Sequence, residues 1–364
     1  MQAPAGAGTP AKTVRTTVQA HRGTAAPRRP VRLPRQPPAA PMPTALLRPR
    51  RQPIDPIVVN AVLIAVRQAA NVLCDRWTLL ILLSAHCGTT RFADFRERCG
   101  GVATRLLSTR LAMLEEQEVM VRLAYTRRPL RHGYHLSHMG LALFDVLAAL
   151  LQWERRWHPD ASGPGLSLAH LACGAQAVAP AMRCAFCGEA VLPRHVSLKI
   201  SQKEIRQMPQ RATAYRRSTH SAASRGPADR LPLPHGIDIF GDKWSIEVLM
   251  CAFVRVNTFG GFQAHTGMST NILADRLARL TAAGIFSQAP KSAHGGAYRL
   301  TDKGLDLFPV LVCIETWADA WLRERARSPL RLVHAGCGQP LRMAVQCSGC
   351  GVALAVQACS LRVA

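Results

Sequence analysis

The sequence predicts a mainly α-helical fold with small β hairpins, built from one module used twice. Three observations predict it. Asp75-Arg76-Trp77-Thr78-Leu79-Leu80-Ile81-Leu82 returns as Asp242-Lys243-Trp244-Ser245-Ile246-Glu247-Val248-Leu249, each followed at one distance by a Phe pair, Phe92/Phe95 and Phe259/Phe262. Leu107-x-x-Arg110-Leu111-x-x-Leu114 is matched by Leu273-x-x-Arg276-Leu277-x-x-Leu280, and Tyr134-His135-Leu136-Ser137-x-x-Gly140 by Tyr298-Arg299-Leu300-Thr301-x-x-Gly304. Finally, His170-x-x-Cys173 with Cys184-x-x-Cys187-Gly188 is matched by His334-x-x-Cys337 with Cys347-x-x-Cys350-Gly351. The offset drifts only from 167 residues (Asp75, Asp242) to 163 (Cys187, Cys350). Chance apolar periodicity does not keep rare residues in this order, and an internal repeat sets the architecture before any finer reading.

At 364 residues the chain has room for two cores. A net charge of +24 and a pI near 10.8 point to polyanionic partners, nucleic acid above all, or an acidic membrane surface. Residues 1–52 show no apolar stretch long enough for a signal peptide, and no segment reaches about 18 uninterrupted apolar residues. No membrane association is expected. Eight Cys and His residues fall into two equal sets, which suits metal binding in a reducing compartment better than disulfides. A cytoplasmic, nucleoid-associated location is the expectation.

Residues 1–52 are rich in Ala, Pro, Arg and Thr and hold no acid, so they are expected to be a disordered basic arm adding phosphate contacts. The alternative is translated upstream sequence ahead of a start near Met42. From Ile57 to Ala70 the apolar residues follow a helical period, with Val58, Val62 and Val66 on one stripe. Asp75 opens a second helix to about Ser84, Phe92 and Phe95 mark a short third, and a fourth spans Thr104–Gln117. Leu107, Leu111 and Leu114 lie on one stripe of that fourth helix and should pack inward. Two alternating segments follow, Val119–Tyr125 and Gly133–Ser137, joined by a basic loop over Thr126–His132. A helix-turn-helix followed by such a hairpin is a winged helix. Ser137 then opens an amphipathic helix to Trp157, matched by Thr301–Trp321.

A helix fits the major groove, and its N-terminal residues reach base edges. The candidates are Thr104, Arg105, Leu106, Ser108 and Thr109, with Thr270, Asn271, Ile272, Ala274 and Asp275 as their counterparts. In the first wing Arg127, Arg128, Arg131 and His132 would hold phosphates or enter the minor groove. The second wing has one cation, Lys291. This ranks the first copy as the principal DNA contact. The alternatives are an ordinary surface helix and a solvated charged loop. Arg110 and Arg276 recur beside the leucine stripe, which favours a structural ion pair over base reading.

The run from Asp75 to Gly140 resembles the HxlR-type winged helix-turn-helix transcriptional regulators. The resemblance covers roughly Val58–Trp157 and returns over His235–Trp321. It implies operator binding, in that family usually by homodimers of a single domain. There are departures. No Cys lies near Leu63, where many members carry a sensing thiol, and Cys74 stands where the family usually has Gly, which Gly241 keeps. The entry to the fourth helix is Ala103-Thr104, against Ser269-Thr270 in the second copy, whose first helix is clipped by Pro232 and Pro234. Thiol sensing by the family's route is therefore not expected.

His170, Cys173, Cys184 and Cys187 offer one nitrogen and three sulfur donors, and His334, Cys337, Cys347 and Cys350 repeat them. Two short-spaced pairs separated by nine or ten residues can form a tetrahedron, the structural zinc pattern. The alternatives are a redox dithiol at each Cys-x-x-Cys and unliganded thiols. The remaining cysteines, Cys74, Cys87, Cys99, Cys251, Cys313 and Cys359, lack such partners.

The expected organisation is an arm (1–52), a winged helix (53–160), a zinc-ribbon-like Cys/His knuckle (166–198), a basic linker (199–230), a second winged helix (231–326) and a second knuckle (330–364). The expected function is sequence-specific binding of double-stranded DNA by a transcription regulator, through helices 104–117 and 270–282. It would act as an intrachain pseudo-dimer or a homodimer, with two structural zinc ions and no catalysis. Two rivals remain: a second copy serving only dimerisation or protein interaction, and a thiol-redox protein using the Cys-x-x-Cys pairs.

Overall fold

The first copy begins with α1 (Pro56–Leu73), where the Asp55 carboxylate accepts from the Ile57 N–H at 2.9 Å. α2 (Arg76–His86) starts at the repeated motif because Asp75 caps it, accepting from the Thr78 N–H at 3.1 Å. α3 (Phe92–Arg98) and α4 (Thr104–Glu116) complete the helix-turn-helix. In this computed structural model residues 55–159, 165–200, 232–288, 297–322 and 330–363 are described. The expected basic arm, most of the linker and the Lys291 loop lie outside them.

β1 (Met120–Arg127) pairs antiparallel with β2 (Leu130–Leu136), leaving only Arg128-Pro129 at the tip. The expected basic loop Thr126–His132 is thus mostly strand. Thr126 Oγ1 donates to the Pro129 carbonyl at 2.7 Å and closes the tip early. The expected helix Ser137–Trp157 is also divided, into α5 (His138–Leu141) and α6 (Phe144–Trp157). Ser137 starts the first turn, and Gly140 holds it. The Ser137 hydroxyl accepts from the Gly140 N–H at 3.1 Å and donates to the Glu118 carbonyl at 2.5 Å. Gly140 lies so close to the Val119 carbonyl that a Cβ would come within 2.2 Å of it. The first turn is pinned to the end of α4, and the chain must redirect before running on. β3 (Leu166–His170), β4 (Pro180–Cys184) and β5 (Val196–Ile200) follow.

The second copy repeats this order with α7 (Pro234–Phe240), α8 (Lys243–Phe253), α9 (Phe259–Thr266) and α10 (Thr270–Ala282). Then come β6 (Phe286–Gln288), β7 (Tyr298–Leu300), α11 (Asp302–Leu305) and α12 (Phe308–Trp321). β8 (Leu330–His334), β9 (Met343–Cys347) and β10 (Cys359–Val363) end it. Thr301 caps α11 as Ser137 caps α5, and Gly304 again sits where a Cβ would meet the Ile285 carbonyl, at 2.5 Å.

The copies interlock about a pseudo-twofold axis. Asp75 and Asp242 bridge each other antiparallel. Gly241 allows this approach, since a Cβ there would lie 2.9 Å from Arg76 Cα. The Trp153 indole donates to the Lys303 carbonyl at 2.9 Å, and its counterpart Trp317 donates to the Met139 carbonyl at 2.9 Å. Such reciprocal contacts define an isologous interface, here within one chain. α1 crosses to pack on α8 and α12, and α6 packs on α12. By length and hydropathy α1 could cross a membrane, but residues such as Val59, Leu63, Val66 and Leu73 are buried in this interface.

The Cys/His segments do not fold as two self-contained knuckles. β3 pairs with β10, β5 with β8, and β4 with β9, all antiparallel and all between copies. The physical reason is edge satisfaction. Each segment's strands offer unpaired N–H and C=O groups, and the nearest complementary edges belong to the other copy.

Candidate nucleic-acid interface and Cys/His clusters

Leu107, Leu111 and Leu114 are fully buried, as their spacing predicts, and hold α4 against its core. Thr104, Arg105, Ser108, Thr109 and Ala112 face solvent, while Leu106 is half-buried against the core. Thr109 Oγ1 donates to the Arg105 carbonyl at 2.8 Å, so its hydroxyl is partly committed within the helix. In α10, Thr270, Asn271, Ile272, Ala274 and Asp275 are exposed over buried Leu273, Leu277 and Leu280.

Arg110 turns inward and grips Asp75 with two hydrogen bonds, 2.9 and 3.0 Å. Arg276 meets Asp242 at 2.5 Å and also pairs with Asp275. The same carboxylate therefore caps α2 or α8 and orients the fourth helix, the structural role its recurrence suggests. In the wing, Arg128 and Arg131 are exposed and His132 is half-buried; Arg127 ends β1. Lys291 lies outside the described residues.

Arg91, just ahead of α3, and Arg96 and Arg98 on it are exposed, interleaved with exposed Asp94 and Glu97, and the Arg91 guanidinium lies 5.3 Å from the Tyr125 ring centroid of the wing. The clustering of arginines ahead of Cys99 marks them in the sequence. α9 carries no Arg or Lys.

The eight Cys and His donors gather into two tetrads, but not the expected ones. His170 and Cys173 meet Cys347 and Cys350, while Cys184 and Cys187 meet His334 and Cys337. Within each tetrad the donor atoms all lie within 4.8 Å of one another. Cys173 and Cys347 sulfurs are 3.8 Å apart, and His170 Nδ1 is 3.2 Å from Cys173 and 3.4 Å from Cys350. In the other tetrad Cys184–Cys337 is 3.9 Å, and His334 Nδ1 is 3.4 and 3.5 Å from Cys187 and Cys337. A zinc tetrahedron with Zn–S about 2.3 Å and Zn–N about 2.0 Å has edges of roughly 3.8 and 3.5 Å. The donor sets fit such an ion.

Local backbone supports this. Gly174, Gly188, Gly338 and Gly351 follow the second donor of every pair at φ between 69° and 74°. They tighten each turn as only glycine does without strain. Burial opposes ionisation of Cys347, but N–H groups of Cys350 and Gly349 aimed at its sulfur bring it down to about 7. At the thiols outside the tetrads burial dominates. Burial pushes Cys87 and Cys99 up to about 11 and Cys251 to about 12, and also raises Cys74 and Cys313. Burial that keeps these thiols protonated fits a packing role.

Similarity to known proteins agrees with this architecture. The HxlR-like helix-turn-helix profile matches residues 72–162 and again 239–326. The uncharacterized HTH-type transcriptional regulator Rv3095 of Mycobacterium tuberculosis is 37% identical over 133 residues, covering 36% of this chain and 83% of that protein. YtfH of Escherichia coli, of the same description, is 34% identical over 87 residues, 24% of this chain and 69% of that protein. YvaP of Bacillus subtilis, likewise so described, is 31% identical over 90 residues, 25% of this chain and 83% of that protein. With two matched modules, each carrying the buried leucine stripe described above, the chain belongs to the HxlR-like helix-turn-helix family.

Proposed function

We propose that the chain is a transcription regulator that binds double-stranded DNA as an intrachain pseudo-dimer. α4 and α10 would enter successive major grooves about one helical turn apart. The observation that carries this reading is the polar face of α4: Thr104, Arg105, Ser108 and Thr109 are exposed over a fully buried leucine stripe. The wing arginines Arg128 and Arg131 and the α3 arginines flank it and would hold phosphates. The relatives' descriptions as transcriptional regulators support the same reading.

Each tetrad would hold one zinc ion, the donors being His170, Cys173, Cys347 and Cys350 for one and Cys184, Cys187, His334 and Cys337 for the other. A complete set of four protein ligands leaves no open position, so the metal's role would be structural rather than catalytic. Bound thiolates fit a reducing cytoplasm.

A second reading, in which the second copy only holds the first in place, is favoured by the exposed Asp275 and the lack of Arg or Lys in α9. The test is a mobility-shift titration of the full chain on duplexes at several salt concentrations. Affinity should fall steeply, with a log–log slope near −0.9 per phosphate neutralised. A folded chain that ignores every duplex at about 50 mM salt would refute the proposal.

A further inference from the structure

We infer that the chain reads an operator of two dissimilar half-sites, in one fixed orientation. This rests on the DNA-binding reading above and deepens it. A homodimer presents the same face twice, so its operator is an inverted repeat. Here the scaffold keeps that symmetry. Trp153 and Trp317 make reciprocal hydrogen bonds, Asp75 bridges Asp242, and β4 pairs with its own counterpart β9. The inward positions of the fourth helix also keep their identity: Leu107/Leu273, Arg110/Arg276, Leu111/Leu277 and Leu114/Leu280.

Three of the outward positions do not, although exposed Thr104 and Ala112 recur as Thr270 and Ala278. Arg105 faces Asn271 in the comparison, Ser108 faces Ala274, and Thr109 faces Asp275, all exposed. These exchanges change the bases that can be read. Arginine pairs bidentately with guanine O6 and N7, and asparagine with adenine N6 and N7. Serine can bond to a base edge where Ala274 offers only a methyl group, suited to the thymine methyl. Asp275 is already paired with Arg276, so it meets the duplex as a partly neutralised acceptor. The flanking charge differs slightly in the same sense: Arg91 ahead of α3 and Arg96 and Arg98 on it outnumber Asp94 and Glu97 by one, whereas α9 has no Arg, Lys, Asp or Glu. The first copy should therefore take a guanine-anchored half-site with more phosphate contact, and the second an adenine-anchored half-site.

In vitro selection of random duplexes with the full chain tests this. The expected motif is non-palindromic, with a guanine-anchored half and an adenine-anchored half at constant spacing. Arg105→Ala should relax the guanine half alone, by roughly 5- to 150-fold at the contacted base, and Asn271→Ala the adenine half alone. Both side chains are exposed, and circular dichroism on each variant verifies the fold. The triple variant Asn271→Arg, Ala274→Ser, Asp275→Thr should move the motif toward an inverted repeat. A palindromic motif from the unaltered chain, or a single half-site indifferent to Asn271→Ala, overturns this inference and leaves DNA binding standing. Failure to enrich any duplex overturns both.

Discussion

In the first copy the helix ahead of the Asp-x-Trp motif runs for 18 residues, and in the second for 7. The longer one, α1, reaches across the pseudo-twofold onto α8 and α12. It brings Arg67 to Glu247 with hydrogen bonds of 2.6 and 3.0 Å, the Glu247 side chain being fully buried. The matching position in the first copy is Leu80, an ordinary core residue. The shorter one, α7, is held differently. Glu154 of α6 accepts from the Gly236 N–H at 2.8 Å and the His235 N–H at 3.2 Å, satisfying donors that a helix start leaves open. Its counterpart is Ala318. The lesson is physical: once two modules share a chain, each side of their interface needs only to complement the other. The fused copies have diverged both where they touch and where they face solvent, while each leucine stripe stayed the same.

The largest effect should come from the two Cys/His tetrads, because a structural zinc held in each would contribute about 10 kcal/mol or more to folding. Crossed and uncrossed ligation predict opposite zinc counts. Cys173→Ser with Cys347→Ser strikes one tetrad and should leave one zinc per chain by elemental analysis. Cys173→Ser with Cys184→Ser strikes both tetrads and should leave none. The reverse pattern would show that each copy ligates its own metal.

Next in size is the cross-copy ion pair. Glu247→Ala leaves the largely buried Arg67 guanidinium, which also donates to the Thr266 carbonyl at 3.3 Å, without its carboxylate and should cost about 3–5 kcal/mol in denaturant unfolding. Replacing Arg67 and Glu247 together by leucine should cost far less, since removing both charges removes the desolvation cost as well. Equal losses for the single and double variants would mean the pair is not what joins α1 to α8.

The smallest effect is pH-dependent and confined to the first copy. Burial raises the Asp145 carboxyl to about 6, whereas its counterpart is Pro309, which has nothing to titrate. The folded state then holds a proton that the unfolded state has lost. Stability is full below the unfolded value near 4 and falls as pH rises toward 6, by up to about 3 kcal/mol. Asp145→Asn should flatten unfolding free energy across that window. A slope unchanged by the substitution would assign it to another group.

Much of the fold was legible because it is written in local terms. The leucine stripe of α4 follows from a spacing of three and four, and the start of α2 from an Asp placed three residues before Thr78. Ser137 and Thr301, each followed three residues on by a glycine, mark α5 and α11. The division between α5 and α6 was not legible, because it comes from Gly140 pressing on the Val119 carbonyl, a contact between elements. Glu247 carried a signal that went unused: a charge inside an apolar run where the other copy has Leu80.

By itself the sequence determined that there are two modules, which helix carries the exposed polar face, and which eight side chains can ligate, since repeat order, periodicity and donor spacing are all one-dimensional. Only the tertiary structure decided that each His-x-x-Cys pair meets the Cys-x-x-Cys of the other copy. Both groupings offer the same donors at the same spacing, so nothing along the chain distinguishes them. The choice is made by strand edges, which β3 and β10, β5 and β8, and β4 and β9 satisfy only by crossing between the copies.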